Sequence, residues 1–368
     1  MKYITLGISN RKKSNILALG AQAKSSFCLV KGNLAYVAEE SGDLSDLRNL
    51  EVFQRRIKTL EKKLKFKPKI IACDLHPEYT STKLAKDIAG EDGLELKAIQ
   101  HHEAHIASSI VDNKIKGDVI GVAFDGTGFG RDANIWGGEF FIGSLKGFKR
   151  ASHLEYVPMP GGEAAVREPW RMAVSFLRDS DVLGIMPRLD KGKVKILQQV
   201  MAKGINSPLT SSMGRLFDAV SSILGICDVA GYEAQAAIEL ERICSGVSEG
   251  KNYNFDIIED KGIFIISADT LIKEIIKDLK KRVSKDIISA KFHNGVANMI
   301  KDVCILLKKR YKICKVILSG GVFQNRFLTR VTKLLLEKQG FKVYLHNRVP
   351  THDGGIALGQ VAIVAASI

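Results

Sequence analysis

Strand-length apolar runs alternate along the chain with longer segments in which apolar residues recur at helical spacing. Turns rich in Gly, Ser and Thr separate these segments, and the alternation is typical of α/β proteins. In order, the first third of the chain predicts a strand–turn–strand–turn–strand segment over 15–40, a helix over 46–65, a strand over 69–75, a helix over 80–90, a strand over 95–100 and a helix from His101.

The segment 119–145 repeats the pattern of 15–40, with an apolar run, a small-residue turn and a second strand. Two such segments predict two related lobes and favour the actin-like ATPase fold, in which two α/β lobes hold a nucleotide and a metal between them. We expect one lobe over 1–115 and the other over 116–368. The second lobe is expected to contain a mainly helical insertion over about 163–310, a strand over 315–320, a helix over 325–340, a strand over 341–346 and a terminal helix over about 353–367.

A metal site is indicated by two histidines and two aspartates. His101 and His105 are four residues apart, so on a helix they share one face, as metal ligands do. Asp125 ends an apolar strand, and Asp353 precedes the last helix. Each has a plainer alternative, such as capping of a helix by Asp353. Together they form a set of two imidazoles and two carboxylates that suits iron, zinc or manganese, whereas magnesium fits imidazole less naturally.

Two glycine turns are candidates for phosphate binding. Gly126-Thr127-Gly128 follows Asp125, and backbone N–H groups in such a turn can cradle phosphate oxygens because no Cβ blocks the approach. Gly320-Gly321 lies between a strand and a helix that begins near Gln324 or Asn325, where nucleotides often bind. The alternatives are an ordinary hairpin turn and a close strand-to-helix crossover.

A third set of candidates lies in the predicted helical stretch. Arg167 and Arg171 are four residues apart with Glu163 nearby, and arginines suit a carboxylate or a phosphate. A salt-bridged surface helix is the alternative. Glu233 and Gln235 have the polar groups to bind ribose hydroxyls or an acceptor peptide, but core packing of the same helix explains them equally well.

The 368 residues include no apolar run near the roughly 18–20 needed to span a bilayer. The first residues lack the pattern of a secretory signal. Six scattered cysteines without a CxxC pair indicate buried, reduced thiols, so we expect a cytoplasmic protein. The net charge of +15 is compatible with a polyanionic partner such as tRNA, but the basic residues recur in amphipathic stretches typical of solvated helix faces, so nucleic acid is not the favoured partner.

Several of these motifs together identify a family resemblance. From about residue 15 to the end, and in order, the chain resembles the C-terminal carbamoyltransferase domain of HypF, the hydrogenase maturation protein. That domain is itself similar to TsaD, which modifies tRNA, and to antibiotic O-carbamoyltransferases. The strings that carry the resemblance include GAQAKSSFCLV, ACDLHPEYTST, QHHEAHIAS, GVAFDGTGFG, MPGGEAAVREPWRMA, SSMGRLFDAVSSILGI, LSGGVFQNRFL and VPTHDGGIALGQ.

The resemblance implies an actin-like fold and a role for several of the candidate residues. It implies that a carbamoyl-adenylate, derived from ATP, lies between the lobes beside a divalent metal. Lys24 would face the phosphate or the carbamoyl group. We expect Lys24, Arg167 and Arg171 to be catalytic, and Glu233 to contact the nucleotide. The metal ligands would be His101, His105, Asp125 and Asp353, and the nucleotide contacts Gly126, Thr127, Gly128, Gly320, Gly321 and Asn325.

The acceptor implied by the resemblance is the C-terminal cysteine of HypE, whose thiocarbamate is the precursor of the cyanide ligands of NiFe hydrogenase. HypF carries acylphosphatase, zinc-binding and YrdC-like domains ahead of this one, and the 368 residues do not include them. A separate YrdC-like chain is therefore the expected source of carbamoyl-adenylate, unless the sequence is an excised domain. Two alternatives stay open: a TsaD-like tRNA threonylcarbamoyladenosine transferase, and a nucleotide-binding assembly protein without turnover.

Overall fold

The computed structural model describes residues 2–178, 180–244, 246–247 and 250–368. The strands are β1 (Tyr3–Gly7), β2 (Ile16–Ala18), β3 (Cys28–Lys31), β4 (Leu34–Ala38), β5 (Ile70–Asp74), β6 (Glu95–Ile99), β7 (Val119–Phe129), β8 (Ile135–Ser144), β9 (Gly147–Leu154), β10 (Val157–Pro158), β11 (Leu209–Thr210), β12 (Asp256–Asp260), β13 (Ile263–Ser267), β14 (Lys315–Ser319) and β15 (Lys342–Tyr344). The helices are α1 (Leu47–Leu64), α2 (Thr80–Asp92), α3 (His101–Asp112), α4 (Ala164–Arg167), α5 (Pro169–Leu177), α6 (Val182–Ile185), α7 (Lys191–Ala202), α8 (Met213–Ile223), α9 (Gln235–Cys244), α10 (Asp269–Lys280), α11 (Lys285–Tyr311), α12 (Arg326–Lys338) and α13 (Ile356–Ser367).

The two sheets share one topology. In the first sheet the strand order is β1-β4-β3-β2-β5-β6, with β2, β3 and β4 antiparallel and β5 and β6 added in parallel. In the second sheet β9, β8 and β7 form the antiparallel set, and β14 and β15 are added in parallel beside β7. The duplicated pattern in the sequence therefore corresponds to two related lobes, as predicted. Strand β1, which pairs with β4, was not predicted.

The helical stretch over 163–310 also contains strands. It holds α4 to α11, but β12 and β13 form a hairpin within it that pairs with β9 and extends the second sheet. Phe264 and Ile266 alternate with less buried residues along β13, so this strand buries one face. The stretch is thus partly a continuation of the second sheet.

The terminal helix α13 packs on the first sheet. Its residues Ile356, Leu358 and Val361 belong to the core that contains Ile16 of β2 and Ala72 of β5. An apolar surface around almost the whole helix explains this burial, because such a helix must be covered on every side. The packing differs from the expectation that groups the terminal helix with the second lobe.

Helix α3 lies between the two lobes, and every one of its residues is buried. On one side Ala104 and Ala107 join the core of the first sheet and α13. On the other side Ile106 and Ile110 pack with β7 and β14 of the second sheet. One helix therefore contributes to the cores of both lobes.

We predict that Gly359→Ala on α13 destabilises the protein by about 2 kcal/mol or more, the range typical of overpacking a buried contact. A Cβ at Gly359 would lie 1.8 Å from the carbonyl oxygen of Ala104, so α13 and α3 would have to move apart. Chemical denaturation measures the change. The matched control is Gly90→Ala on α2, where a Cβ would meet nothing within 4 Å. Equal stability of both variants would contradict the close packing of the two helices.

Candidate metal centre and cleft

The structure brings His101, His105, Asp125 and Asp353 together. The two histidines lie one turn apart at the start of α3, Asp125 lies in β7, and Asp353 begins the short 3-10 turn before α13. One donor atom from each lies within 4.8 Å of the other three. Four residues from three distant parts of the sequence thus converge on one point at the junction of the two sheets.

The separations suit donors to a single ion. His105 Nε2 lies 2.9 Å from Asp125 Oδ2 and 3.6 Å from Asp353 Oδ1. His101 Nε2 lies 3.8 and 3.7 Å from the same two oxygens. Among the described residues this buried nitrogen has no hydrogen-bond partner, which is costly unless another ligand supplies one. Two imidazoles and two carboxylates match the preferences of iron, zinc or manganese, so the residues fit a divalent metal.

The start of α3 fixes where the histidines point. Gln100 follows β6 and caps the helix, its side chain accepting a hydrogen bond of 2.9 Å from the N–H of Glu103. The helix therefore begins at His101, and the i, i+4 spacing places His101 and His105 on one face. His102 does not join them, since its ring is buried beside Gln100.

Asp74, which the sequence analysis missed, orients His101. Its Oδ2 lies 2.8 Å from His101 Nδ1, and both side chains are fully buried. A carboxylate bonded to one ring nitrogen fixes the imidazole so that the other nitrogen faces the metal. The available signal was an acidic residue at the end of the apolar run KIIACDL, but only the fold shows that β5 ends beside α3.

Opposite charges within the cluster shift the pKa values of its members. Burial alone lowers the pKa of His101, but Asp74 and Asp353 outweigh it and raise this pKa well above its ordinary value. Burial raises the pKa of Asp353, yet the attraction of His101 outweighs it and lowers the pKa to about 2. Asp353 is thus held ionised, the form in which a carboxylate binds a cation.

The turn after Asp125 fixes the position of the Asp125 carboxylate. The N–H of Gly126 donates to Asp125 Oδ1 at 2.7 Å, so this N–H is already engaged. Ser212 Oγ lies within 2.9 Å of the carbonyl oxygens of both residues. Thr127 is exposed, and Gly128 is required by packing because a Cβ there would lie 2.4 Å from His102 Cε1. The turn therefore supports the Asp125 carboxylate, and phosphate binding by the same turn stays a prediction.

The Gly320-Gly321 turn lies against the same strand end. Gly320 has φ +101°, and a Cβ there would lie 2.2 Å from the carbonyl oxygen of Phe124. A Cβ on Gly321 would lie 3.0 Å from Asp125 Oδ1, so the turn borders the metal cluster. Asn325, a predicted nucleotide contact, is engaged within the protein. Its Oδ1 caps α12 and its Nδ2 lies 2.9 Å from His293 Nε2.

Lys24 lies in the turn between β2 and β3 and reaches across the cleft. Its Nζ is 2.6 Å from Glu233 Oε1, which comes from the second lobe. Burial lowers the pKa of Lys24, but Glu233, Asp353 and Asp125 together raise it above the ordinary value. Ser26 of the same turn donates to the carbonyl oxygen of Gly354 at 2.7 Å, which ties the turn to the segment that carries Asp353.

The two predicted arginines have other partners. Arg171 pairs with Glu168, and its guanidinium lies over the ring of Trp170. Arg167 has an exposed side chain, and its backbone carbonyl accepts from Ala230 at 2.8 Å. The structure therefore places Arg167 beside the loop that leads to Glu233, and it shows Arg171 in the salt-bridged arrangement that was the alternative interpretation.

Comparison with known families covers almost the whole chain. Residues 11–112 match the family model described as the HypF Kae1-like domain, and residues 121–360 match the second subdomain of the Kae1-like carbamoyltransferase domain. The chain belongs to the HypF family.

Individual HypF relatives agree with this assignment. The carbamoyltransferase HypF2 of Cupriavidus necator is 32% identical over 95% of this chain and 46% of its own length. A HypF homologue of the same organism is 31% identical over 95% of this chain and 91% of its own length. The crystal structure of full-length HypF in its phosphate- and nucleotide-bound form is 36% identical, with a TM-score of 0.93, and covers 98% of this chain and 47% of that one. The chain thus spans about half the length of most HypF proteins it matches.

The predicted fold is confirmed. Two related mixed sheets with HypF-like topology form the actin-like ATPase fold, and the cleft between them contains the four-residue cluster. No helix among the described residues is long and apolar enough to cross a membrane.

We predict that Asp353→Ala and His105→Ala lower the metal content of this HypF-family chain well below that of the parent protein. Each variant removes one of the four donors, and metal affinity depends on their number and geometry. Elemental analysis after loading with iron, zinc or manganese and desalting measures the content. The control is Asp256→Ala, which removes an acidic side chain from β12 outside the cluster. Undiminished metal in both ligand variants would show that the ion binds elsewhere.

We predict that Asp74→Asn weakens metal affinity by about 10–100-fold without abolishing binding, the usual effect of removing the group that orients a ligating imidazole. The remaining four donors are unchanged, so saturating metal should still occupy the site. Competition with a chelator of known affinity measures the change. Asp87→Asn, at an exposed position on α2, is the matched control. An affinity equal to that of the control would contradict the role given to Asp74.

Proposed function

We propose that the chain transfers the carbamoyl group of carbamoyl-adenylate to the C-terminal cysteine of a HypE-type acceptor protein. Membership of the HypF family supports the reaction class. The observation that carries the proposal is the cluster of His101, His105, Asp125 and Asp353 at the junction of two actin-like lobes, beside two glycine turns. A separate YrdC-like source of carbamoyl-adenylate, and a cytoplasmic location, are part of the same proposal.

The transfer step is a substitution at the carbamoyl carbon. The acceptor thiol first loses its proton to solvent, and the thiolate sulfur then attacks the carbonyl carbon. A C–S bond forms, the bond from that carbon to the phosphate oxygen breaks, and AMP leaves with the electron pair. A divalent ion held by His101, His105, Asp125 and Asp353 would supply positive charge to stabilise the charge that develops on the carbonyl and phosphate oxygens. Lys24, kept protonated by Glu233, adds a second positive charge in the cleft.

The nucleophile belongs to the acceptor because the buried cysteines of this chain are poor nucleophiles. Cys28, Cys73, Cys227, Cys244 and Cys304 are buried. Burial raises the pKa of Cys73 and of Cys244 to about 11, so these side chains stay as thiols at neutral pH. Cys314, which is exposed, lies at the start of β14, at the opposite end of that strand from the Gly320-Gly321 turn.

The direct test supplies carbamoyl-adenylate, a divalent metal and purified HypE to the chain and measures the mass of HypE. We expect HypE to gain one carbamoyl group, and HypE with its C-terminal cysteine changed to serine to gain none. Asp353→Ala should abolish the transfer while leaving HypE binding intact, and Arg310→Met, at a surface ion pair with Glu259, should transfer normally. An unchanged HypE mass with the parent chain would overturn the proposal, and binding without transfer would favour the assembly-protein alternative.

A TsaD-like tRNA transferase is the second candidate, and the net charge of +15 favours it. A protein that neutralises tRNA phosphates with Lys and Arg binds more weakly as salt increases. Salt-sensitive binding of tRNA in a gel-shift titration, together with transfer of a threonylcarbamoyl group to an adenosine of the tRNA, would support this candidate over transfer to HypE.

A further inference from the structure

Arg215, on the first turn of α8, is a buried arginine with spare donors. Its side chain is 7% exposed, and its Nη2 lies 2.8 Å from Oδ2 of the equally buried Asp218. Among the described residues Nε and Nη1 of Arg215 have no hydrogen-bond partner. An unpaired buried donor is costly, and the cost is larger when the donor belongs to a charged group. The fold therefore leaves two nitrogens of the Arg215 guanidinium without the acceptors that would offset this cost.

The contrast with Arg150 shows that this fold can satisfy a buried arginine. Arg150 on β9 has a side chain that is 13% exposed. Its Nε, Nη1 and Nη2 donate respectively to Glu139, Tyr156 and Ser211. Each nitrogen of Arg150 thus has its own acceptor. Among the described residues Nε and Nη1 of Arg215 have none, and Nη2 lies at ion-pair distance from Asp218 Oδ2, which also accepts no hydrogen bond.

The Arg215 guanidinium lies beside the turn that follows the metal ligand Asp125. Its Nη2 is 3.6 Å from the position that a Cβ on Gly126 would occupy. Gly214 packs against the same turn, since a Cβ there would lie 2.9 Å from the Cα of Gly126. Ser212, the N-cap of α8, contacts the Asp125 and Gly126 carbonyls. The start of α8 therefore brings a positive charge to the wall of the cleft at Gly126.

We propose that Arg215 binds a phosphoryl oxygen of the nucleotide in the cleft, and that Asp218 is a positioning residue that holds the guanidinium towards Gly126. This inference rests on the proposed function, because it assigns a contact to the ligand of the same cleft. Arginine forms two parallel hydrogen bonds with phosphate, and it has the donors to do so here. The ion pair with Asp218 leaves Nε and Nη1 without an acceptor, and Nη2 is the nitrogen that lies nearest Gly126.

The inference predicts that the affinity advantage of AMP over adenosine depends on Arg215. The two probes differ only in the phosphate, so the ratio of their dissociation constants isolates its contribution. In the parent protein, loaded with metal, AMP should bind more tightly than adenosine. In Arg215→Met this advantage should shrink by about tenfold or more, as expected when a charge-assisted hydrogen bond to phosphate is lost. Adenosine affinity should stay close to that of the parent. Isothermal titration calorimetry measures both constants, and inorganic phosphate as a third probe separates nucleotide phosphate from free phosphate.

Two further variants keep the test decisive. Arg215→Met leaves Asp218 buried without its cation, which is destabilising, so the double variant Arg215→Met/Asp218→Asn removes both charges together. Asp218→Asn alone should lower the AMP advantage, but by less than Arg215→Met, because the guanidinium remains and only its positioning partner is lost. Arg310→Met is the control for loss of an ion-paired arginine elsewhere.

The outcomes separate this inference from the proposed function. An unchanged ratio of AMP to adenosine affinity in both the single and the double Arg215 variants would overturn the inference and leave the proposed function standing. A parent chain with metal that binds neither probe would overturn the proposed function itself, and with it the contact assigned to Arg215. Competition by inorganic phosphate alone, with no preference for AMP, would also contradict the nucleotide contact.

Discussion

Helix α3 is buried on both faces, and both lobes pack against it. Ala104 packs against Gly359 of α13 so closely that a methyl group cannot be added, and Ile106 packs against Gly121 of β7, where a Cβ would lie 2.7 Å from the isoleucine side chain. These contacts join the helix to both lobes and leave it no freedom to rotate. His101 and His105 are consequently held by packing, which is what a preorganised metal site requires.

The remaining parts of the site are supplied by chain segments that end against α3. Asp74 lies at the end of β5, Asp125 at the point where the pairing of β7 and β8 shifts, and Asp353 in the turn that leads into α13. The Lys24 turn is attached to that last segment through Ser26, so a charge from the first lobe faces carboxylates from the second. The segments that pack against α3 therefore also position the side chains of the cleft.

The spacing of residues within single helices and strands made the histidine pair and the two lobes predictable from the sequence. The i, i+4 histidines and the repeated strand–turn–strand pattern depend on local periodicity, which a sequence displays directly. Asp74 and the spare donors of Arg215 depend on which elements become neighbours, so no local pattern marks them. The placement of α13 was missed for the same reason, since a helix that is apolar all round shows that it is buried but not where. Asn325 shows the converse, because a residue suited to a ligand contact serves in the structure as a helix cap.

We propose that one divalent ion binds at the junction of the lobes through two imidazoles and two carboxylates. An anomalous difference map from crystals of the metal-loaded chain tests it most directly. We expect one strong peak within bonding distance of His101, His105, Asp125 and Asp353, with only nitrogen and oxygen donors around it. A peak bound to a cysteine sulfur, or an ion located away from these four residues, would contradict it.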